Sequence, residues 1–158
     1  MGRPALSAGE NILKLAGVEN EPPAEYRLQD QIGFVLRKAH QRHVAIFASR
    51  IGDLTPPQFA ALAMLHEHGD TSQNQLGQMV AMDAATIKGV IDRLKTRGFL
   101  TVEKDASDKR RLTVHITPEG DQAVRELVSL AKEITQETLA PLSTREAETL
   151  LRLLSKIA

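Results

Sequence analysis

Cysteine is absent from the 158 residues. That excludes disulfides, cysteine-bound zinc and redox sensing through a thiol. Tryptophan is absent too, and aromatic residues make up only 3 % of the chain. A core must therefore be built from Leu, Ile, Val, Ala and Met, a composition that leans helical. No apolar run approaches the roughly 18 residues of a membrane span, and the opening residues lack the basic-then-apolar pattern of a secretory signal. A cytoplasmic protein is expected. Net charge is lacking as well, since 20 basic and 20 acidic side chains cancel. The sequence shows no nucleophile–base pairing, metal cage or Gly-rich phosphate loop, so neither an enzyme nor a bound cofactor is expected.

What is present is a succession of sharp helix signals. Residues 1–24 read as a flexible arm with at most one short helix, Ala8 to Leu15, closed by Pro22-Pro23. From Glu25 to Ile51, apolar residues recur at helical spacing (Leu28, Ile32, Val35, Ala39, Ile46, Phe47). Thr55-Pro56-Pro57-Gln58 is a capping box with proline in the first turn, and its helix should stop at Gly69. Ser72-Gln73-Asn74-Gln75 opens a short helix through Met79, and Asp83 caps a third from Ala84 to Arg97, ended by Gly98. Two short helices and a longer polar one form a helix-turn-helix. The period then changes to branched strands at Phe99–Glu103 and Leu112–Ile116, joined by a charged turn. A hairpin placed there is a wing. Thr117-Pro118-Glu119 starts a helix to about Leu139, broken by Pro141. Ser143–Glu146 then caps a leucine-dense last helix.

The balanced charge is unevenly distributed. Residues 83–112 hold eight basic and five acidic side chains, so the third helix and the wing carry the surplus of positive charge that phosphates attract.

Several runs match a known family. They are Leu54-Thr55-Pro56-Pro57-Gln58-Phe59, Asp92-Arg93-Leu94 with Arg97-Gly98-Phe99-Leu100, Asp108-Lys109-Arg110, and Ile116-Thr117-Pro118-Glu119-Gly120. In this order the chain, over roughly residues 28–157, resembles the MarR family of bacterial transcription regulators. The implied fold is mainly α with a small β-hairpin wing, a winged helix-turn-helix head at 54–117 and dimerisation helices at 25–53 and 118–158. The implied function is a repressor that binds a pseudo-palindromic operator on double-stranded DNA as a homodimer. It would be nucleoid-associated when bound.

In such a head the third helix enters the major groove N-terminus first, which offers Ala84, Ala85, Thr86, Lys88 and Gly89 to the bases. Ser72 and Gln73 are candidates for phosphate contacts, and Arg93 for the DNA backbone or an ion pair. The resemblance puts Arg110 in the minor groove, oriented by Asp108 and flanked by Lys109 and Arg111. It also implies a small aromatic or anionic effector between the dimer helices and the head. The residues this suggests are His40, His43 and Arg50 with Phe47 as an apolar wall, plus Phe59 and His66. Two alternatives stay open. One is a winged-helix module for protein–protein assembly. The other is a metal-responsive regulator using His40 and His43, whose i,i+3 spacing suits a shared metal; His66 and His68 point to different helix faces.

Overall fold

The computed structural model describes residues 26–104 and 111–158. The chain divides into two units, residues 1–38 and 39–158. In the first, a 3-10 turn, Leu28–Asp30, leads to an extended Gln31 (φ −84°, ψ 133°), and helix α1, Ile32–Arg50, begins. The Gln31 carbonyl accepts from the Phe34 and Val35 N–H groups at 3.0 and 3.1 Å. The long apolar stripe is therefore a turn plus a helix, not one helix from Glu25. Tyr26, Leu28, Ile32, Val35 and Leu36 of this unit are exposed.

The second unit holds the remainder of α1 and eight further elements. They are α2 (Pro56–His68), β1 (Thr71–Ser72), α3 (Gln73–Met79), α4 (Ala84–Thr96), β2 (Leu100–Lys104), β3 (Leu112–Ile116), α5 (Pro118–Leu139) and α6 (Thr144–Leu154). The expected caps are present where local chemistry demands them. The Thr55 N–H donates to Gln58 Oε1 at 3.0 Å and the Gly69 N–H to the Leu65 carbonyl at 2.8 Å, with Gly69 at φ 78°. The Ser143 N–H donates to Glu146 Oε2 at 2.8 Å. Pro141 ends α5 as expected, two residues past its last turn.

The wing is larger than a hairpin. Its sheet has three antiparallel strands in the order β1-β3-β2, with Ser72 opposite Thr113 and Val102 opposite Val114. The added strand is two residues long, too short for any period to reveal. It joins the wing directly to the start of α3.

The core is aliphatic, as the composition required. Leu62 and Leu65 of α2, Leu76 of α3, Ile87, Ile91 and Leu94 of α4, Leu100, Val114 and Val124 are essentially inaccessible. Each such Leu, Ile or Val contributes about 1.5–3 kcal/mol by burial. Gly77 lets α3 and α4 close on one another, since a Cβ there would lie 3.1 Å from both Ile87 Cγ2 and the Met82 carbonyl. Among the described residues no helix is long and apolar enough to cross a membrane.

Candidate nucleic-acid interface and effector cavity

Helix α4 has two chemically distinct faces. Ile87, Val90, Ile91 and Leu94, at helical spacing, are buried in the core. That burial turns Ala84, Ala85, Thr86 and Lys88 outward and leaves Gly89 half-exposed. Asp83 Oδ1 accepts from the Thr86 N–H at 2.8 Å, and this bond holds the carboxyl below its ordinary range. The helix start is thereby pinned where it would meet a duplex. Lys88 Nζ lies 2.6 Å from Asp92 Oδ2, so the longest polar side chain at the reading end is ion-paired on its own helix. Arg93 is exposed in the last turn.

Ser72 is placed differently from the expectation. It is nearly buried, and its hydroxyl caps α3 by accepting from the Gln75 N–H at 3.2 Å while donating to Gln75 Oε1 at 2.9 Å. Its side chain is therefore committed inside the fold. Gln73 beside it is half-buried. Asp108, Lys109 and Arg110 lie outside the described residues. Arg111 is exposed, and its Nη2 donates to Gln75 Oε1 at 2.9 Å.

Five of the six residues suggested for an effector are drawn into helix–helix contacts. Thr138 donates its hydroxyl proton to the Ile134 carbonyl (2.7 Å), so it accepts from His43 Nδ1 at 3.1 Å. This contact fastens α1 to α5. Phe47 is buried, with ring centroids 6.3 Å from His43 and 6.0 Å from Phe59. Arg50 pairs with Glu137 at 2.8 Å and Glu133 at 3.7 Å, and the Glu137 hydrogen bond raises its pKa further. His66 Nδ1 contacts Asp121 Oδ1 at 2.5 Å, while His40 is exposed. No group of three or more His, Asp or Glu is arranged for a metal among the described residues, and His40 belongs to no such set.

A cavity of about 540 Å³ opens elsewhere, between the loop before α2, the end of α4 and the first turns of α5. None of the six residues lines it. Its walls include Leu54, Phe99 and Leu127, with the charged side chains Asp53, Arg97, Glu119 and Glu126. Arg97 donates through Nη1 to the Asp53 carbonyl and lies over the Phe99 ring, 4.7 Å from its centroid. The volume suits a small molecule. Sequence reasoning missed this site because its walls come from three distant segments, and only Arg97-Gly98-Phe99, already noticed as a run, hinted at it.

The His66–Asp121 pair makes a pH-dependent contribution. The Asp121 carboxyl is held below its ordinary range, chiefly by the His66 hydrogen bond and next by Arg125. A carboxyl depressed in the folded state stabilises above its unfolded pKa of about 3.9, and the effect is lost as pH falls through the folded value. Asp121→Asn is expected to melt below the parent at about pH 6, with the gap between the two melting temperatures narrowing as pH falls below the ordinary carboxylate pKa of about 3.9. A gap that persists unchanged in acid would remove the pair from the stability account.

A two-helix turn with an exposed reading face, followed at once by an antiparallel sheet, defines a winged helix-turn-helix DNA-binding transcription regulator. The MarR family model matches residues 54–112. The chain is 36 % identical over 144 residues to the HTH-type transcriptional repressor NicR of Pseudomonas putida, covering 90 % of this chain and 89 % of that one. This chain therefore belongs to the MarR family. Two solved structures agree. A probable transcriptional regulator from Pseudomonas aeruginosa is 51 % identical, with a TM-score of 0.80 over 84 % of this chain and 100 % of that one. BpsR of Bordetella bronchiseptica, studied for regulation of its DNA binding by 6-hydroxynicotinic acid, is 40 % identical, with a TM-score of 0.81 over 85 % of this chain and 97 % of that one.

Proposed function

We propose that this chain is a repressor that binds a pseudo-palindromic operator as a homodimer and is released by a small aromatic acid held in the cavity beside α4. The observation that carries the reading is the cavity's position. Two of its walls, Arg97 and Phe99, directly follow the helix that would sit in the major groove. A ligand there presses on the end of the reading helix, which is what release requires. The lining also fits the ligand class. Phe99, Leu54 and Leu127 offer apolar contact to a ring, and Arg97 offers a partner to a carboxylate. Asp53, Glu119 and Glu126 can accept from a ring hydroxyl or N–H. BpsR responds to a molecule of this kind, a hydroxylated pyridine carboxylate.

Surplus apolar surface supports the dimer. Leu150, Leu151, Leu153 and Ile157 at the C-terminal end are 37, 50, 48 and 70 % exposed. A short helix that displays three large apolar residues, with a fourth just beyond its end, suits burial against a second copy. In this reading residues 25–53 and 118–158 form the dimer and 54–117 the DNA-binding region. A symmetric pair reads two half-sites about one helical turn apart.

The test is a thermal-shift series with 6-hydroxynicotinic acid, nicotinic acid and benzoic acid, paired with anisotropy on a duplex recovered by sequence selection. The expected effector raises the melting temperature and releases the duplex. Arg97→Ala is expected to abolish both responses while the dimer persists. An unaltered response in that variant places the effector elsewhere. Arg110→Ala is expected to weaken the selected duplex at least tenfold, about 1.4 kcal/mol, and to lower the salt slope by about one. A selection that returns no motif favours the assembly-module alternative.

A further inference from the structure

Gln75 stands in the first turn of α3, exposed, beside the buried Leu76 and Gly77 that fix the helix on the core. Its amide oxygen accepts from Arg111 Nη2 at 2.9 Å, the Ser72 hydroxyl at 2.9 Å and the Thr71 hydroxyl at 3.3 Å. Three donors from two segments thus converge on one atom: Thr71 and Ser72 of β1, the latter also the cap of α3, and Arg111 at the base of the wing. The capping-box pattern predicts that this side chain turns back to the Ser72 backbone. Instead it reaches toward the wing.

That departure has a consequence for Arg111, which leads directly into β3. A guanidinium carries five N–H donors in a rigid fork, so committing one of them restricts where the others can point. A cleft of about 80 Å³ opens at this point, lined by Ser72, Gln73, Asn74, Arg111 and Leu112. It is far too small for a drug-sized molecule. It is polar, it lies at the junction of the helix-turn-helix and the wing, and it has a cation at its edge. These features suit a backbone phosphate oxygen, the group that DNA-binding proteins contact to set register rather than sequence.

We infer that Gln75 is a positioning residue for DNA binding, which holds Arg111 at the base of the wing so that its guanidinium meets a phosphate. The inference rests on the proposed DNA-binding role of the wing. Gln75 itself touches no base and adds no charge. It acts by placing a charge that would otherwise sample many rotamers.

A double-mutant cycle tests this. Gln75→Met keeps the side-chain length and removes the acceptor, and the exposed position leaves the core untouched. Arg111→Ala removes the cation. Affinity for a selected duplex and for a random-sequence duplex of equal length is measured across a salt series. Each single variant is expected to weaken both duplexes by the same factor, about three- to tenfold, and to lower the salt slope by up to about one. The double variant is expected to bind as Arg111→Ala alone does. Additive losses, or parental affinity and slope for Gln75→Met beside a weakened Arg111→Ala, overturn the positioning role. Parental binding by Arg111→Ala overturns instead the DNA contact on which it rests, so the two failures are distinguishable.

Discussion

Gly120→Ala is expected to destabilise this protein by about 3 kcal/mol or more, at or beyond the upper end of overpacking costs. Gly120 is the third residue of α5 and is buried. A Cβ there would lie 2.1 Å from the Phe99 carbonyl oxygen, 2.9 Å from its carbon and 3.0 Å from Ile116 Cγ1. The obstruction is backbone, which does not yield as a flexible side chain does. That backbone is also in use, because the Phe99 carbonyl accepts from the Thr117 N–H at 3.1 Å and the Gly98 carbonyl accepts from the Thr117 hydroxyl at 2.7 Å. These bonds stitch the start of α5 to the turn after α4. Helix propensity pushes the other way, since alanine gains about 1 kcal/mol over glycine in a helix interior. The steric term is larger, so the sign is destabilising. For a chain of this length 3 kcal/mol corresponds to a fall in melting temperature of roughly 10 °C. A melting temperature within a degree or two of the parent would show that the close approach is absent. Because Phe99 lines the cavity, a folded Gly120→Ala is also expected to respond more weakly to the effector.

Gly89 is the converse case, and its variants separate stability from function. Among the described residues, a Cβ at Gly89 would meet nothing within 4 Å. Nothing among the described residues asks for glycine there, yet a glycine in a helix interior costs about 1 kcal/mol relative to alanine. The position lies one turn beyond Ala85 and Thr86, on the face that α4 turns away from the core. A duplex approaching closely is the remaining reason to omit a side chain. Gly89→Ala is expected to raise the melting temperature by a few degrees while weakening the selected duplex several-fold. Gly89→Glu is expected to keep the parental melting temperature or better. Its loss of DNA affinity should reach a hundredfold or more, about 2.7 kcal/mol, because a carboxylate then faces the phosphates. Calorimetry and fluorescence anisotropy on the same samples check both halves. Parental DNA binding by Gly89→Glu would take this face of α4 out of the groove.

Much of the fold was legible because helix boundaries are written in neighbouring residues. Thr55 with Gln58, Asp83 with Thr86, and Ser143 with Glu146 satisfy one another within three positions. A change of period likewise marked the two longer strands. The candidate site was legible only in part. The exposed face of α4 followed from its buried one, since Ile87, Val90, Ile91 and Leu94 leave Ala85 and Thr86 outside. None of the suggested effector residues lines the cavity beside Arg97. His43 found Thr138, 95 positions away, and His66 found Asp121, 55 away. Pairings at such separations leave no trace in local pattern.

The sequence by itself determined an aliphatic helical protein without thiol chemistry, the order of its elements, and the family to which they belong. Those properties rest on composition and on interactions within a turn of helix or a stretch of strand. Only the tertiary structure decided which side chains are available to a partner. It committed the Ser72 hydroxyl to a cap, turned Gln75 toward Arg111, tied Arg50 to Glu137, and opened the cavity between Arg97 and the start of α5. The physical reason is that a polar side chain takes the best partner the packed core brings within about 3 Å, and packing brings together residues that the chain keeps far apart.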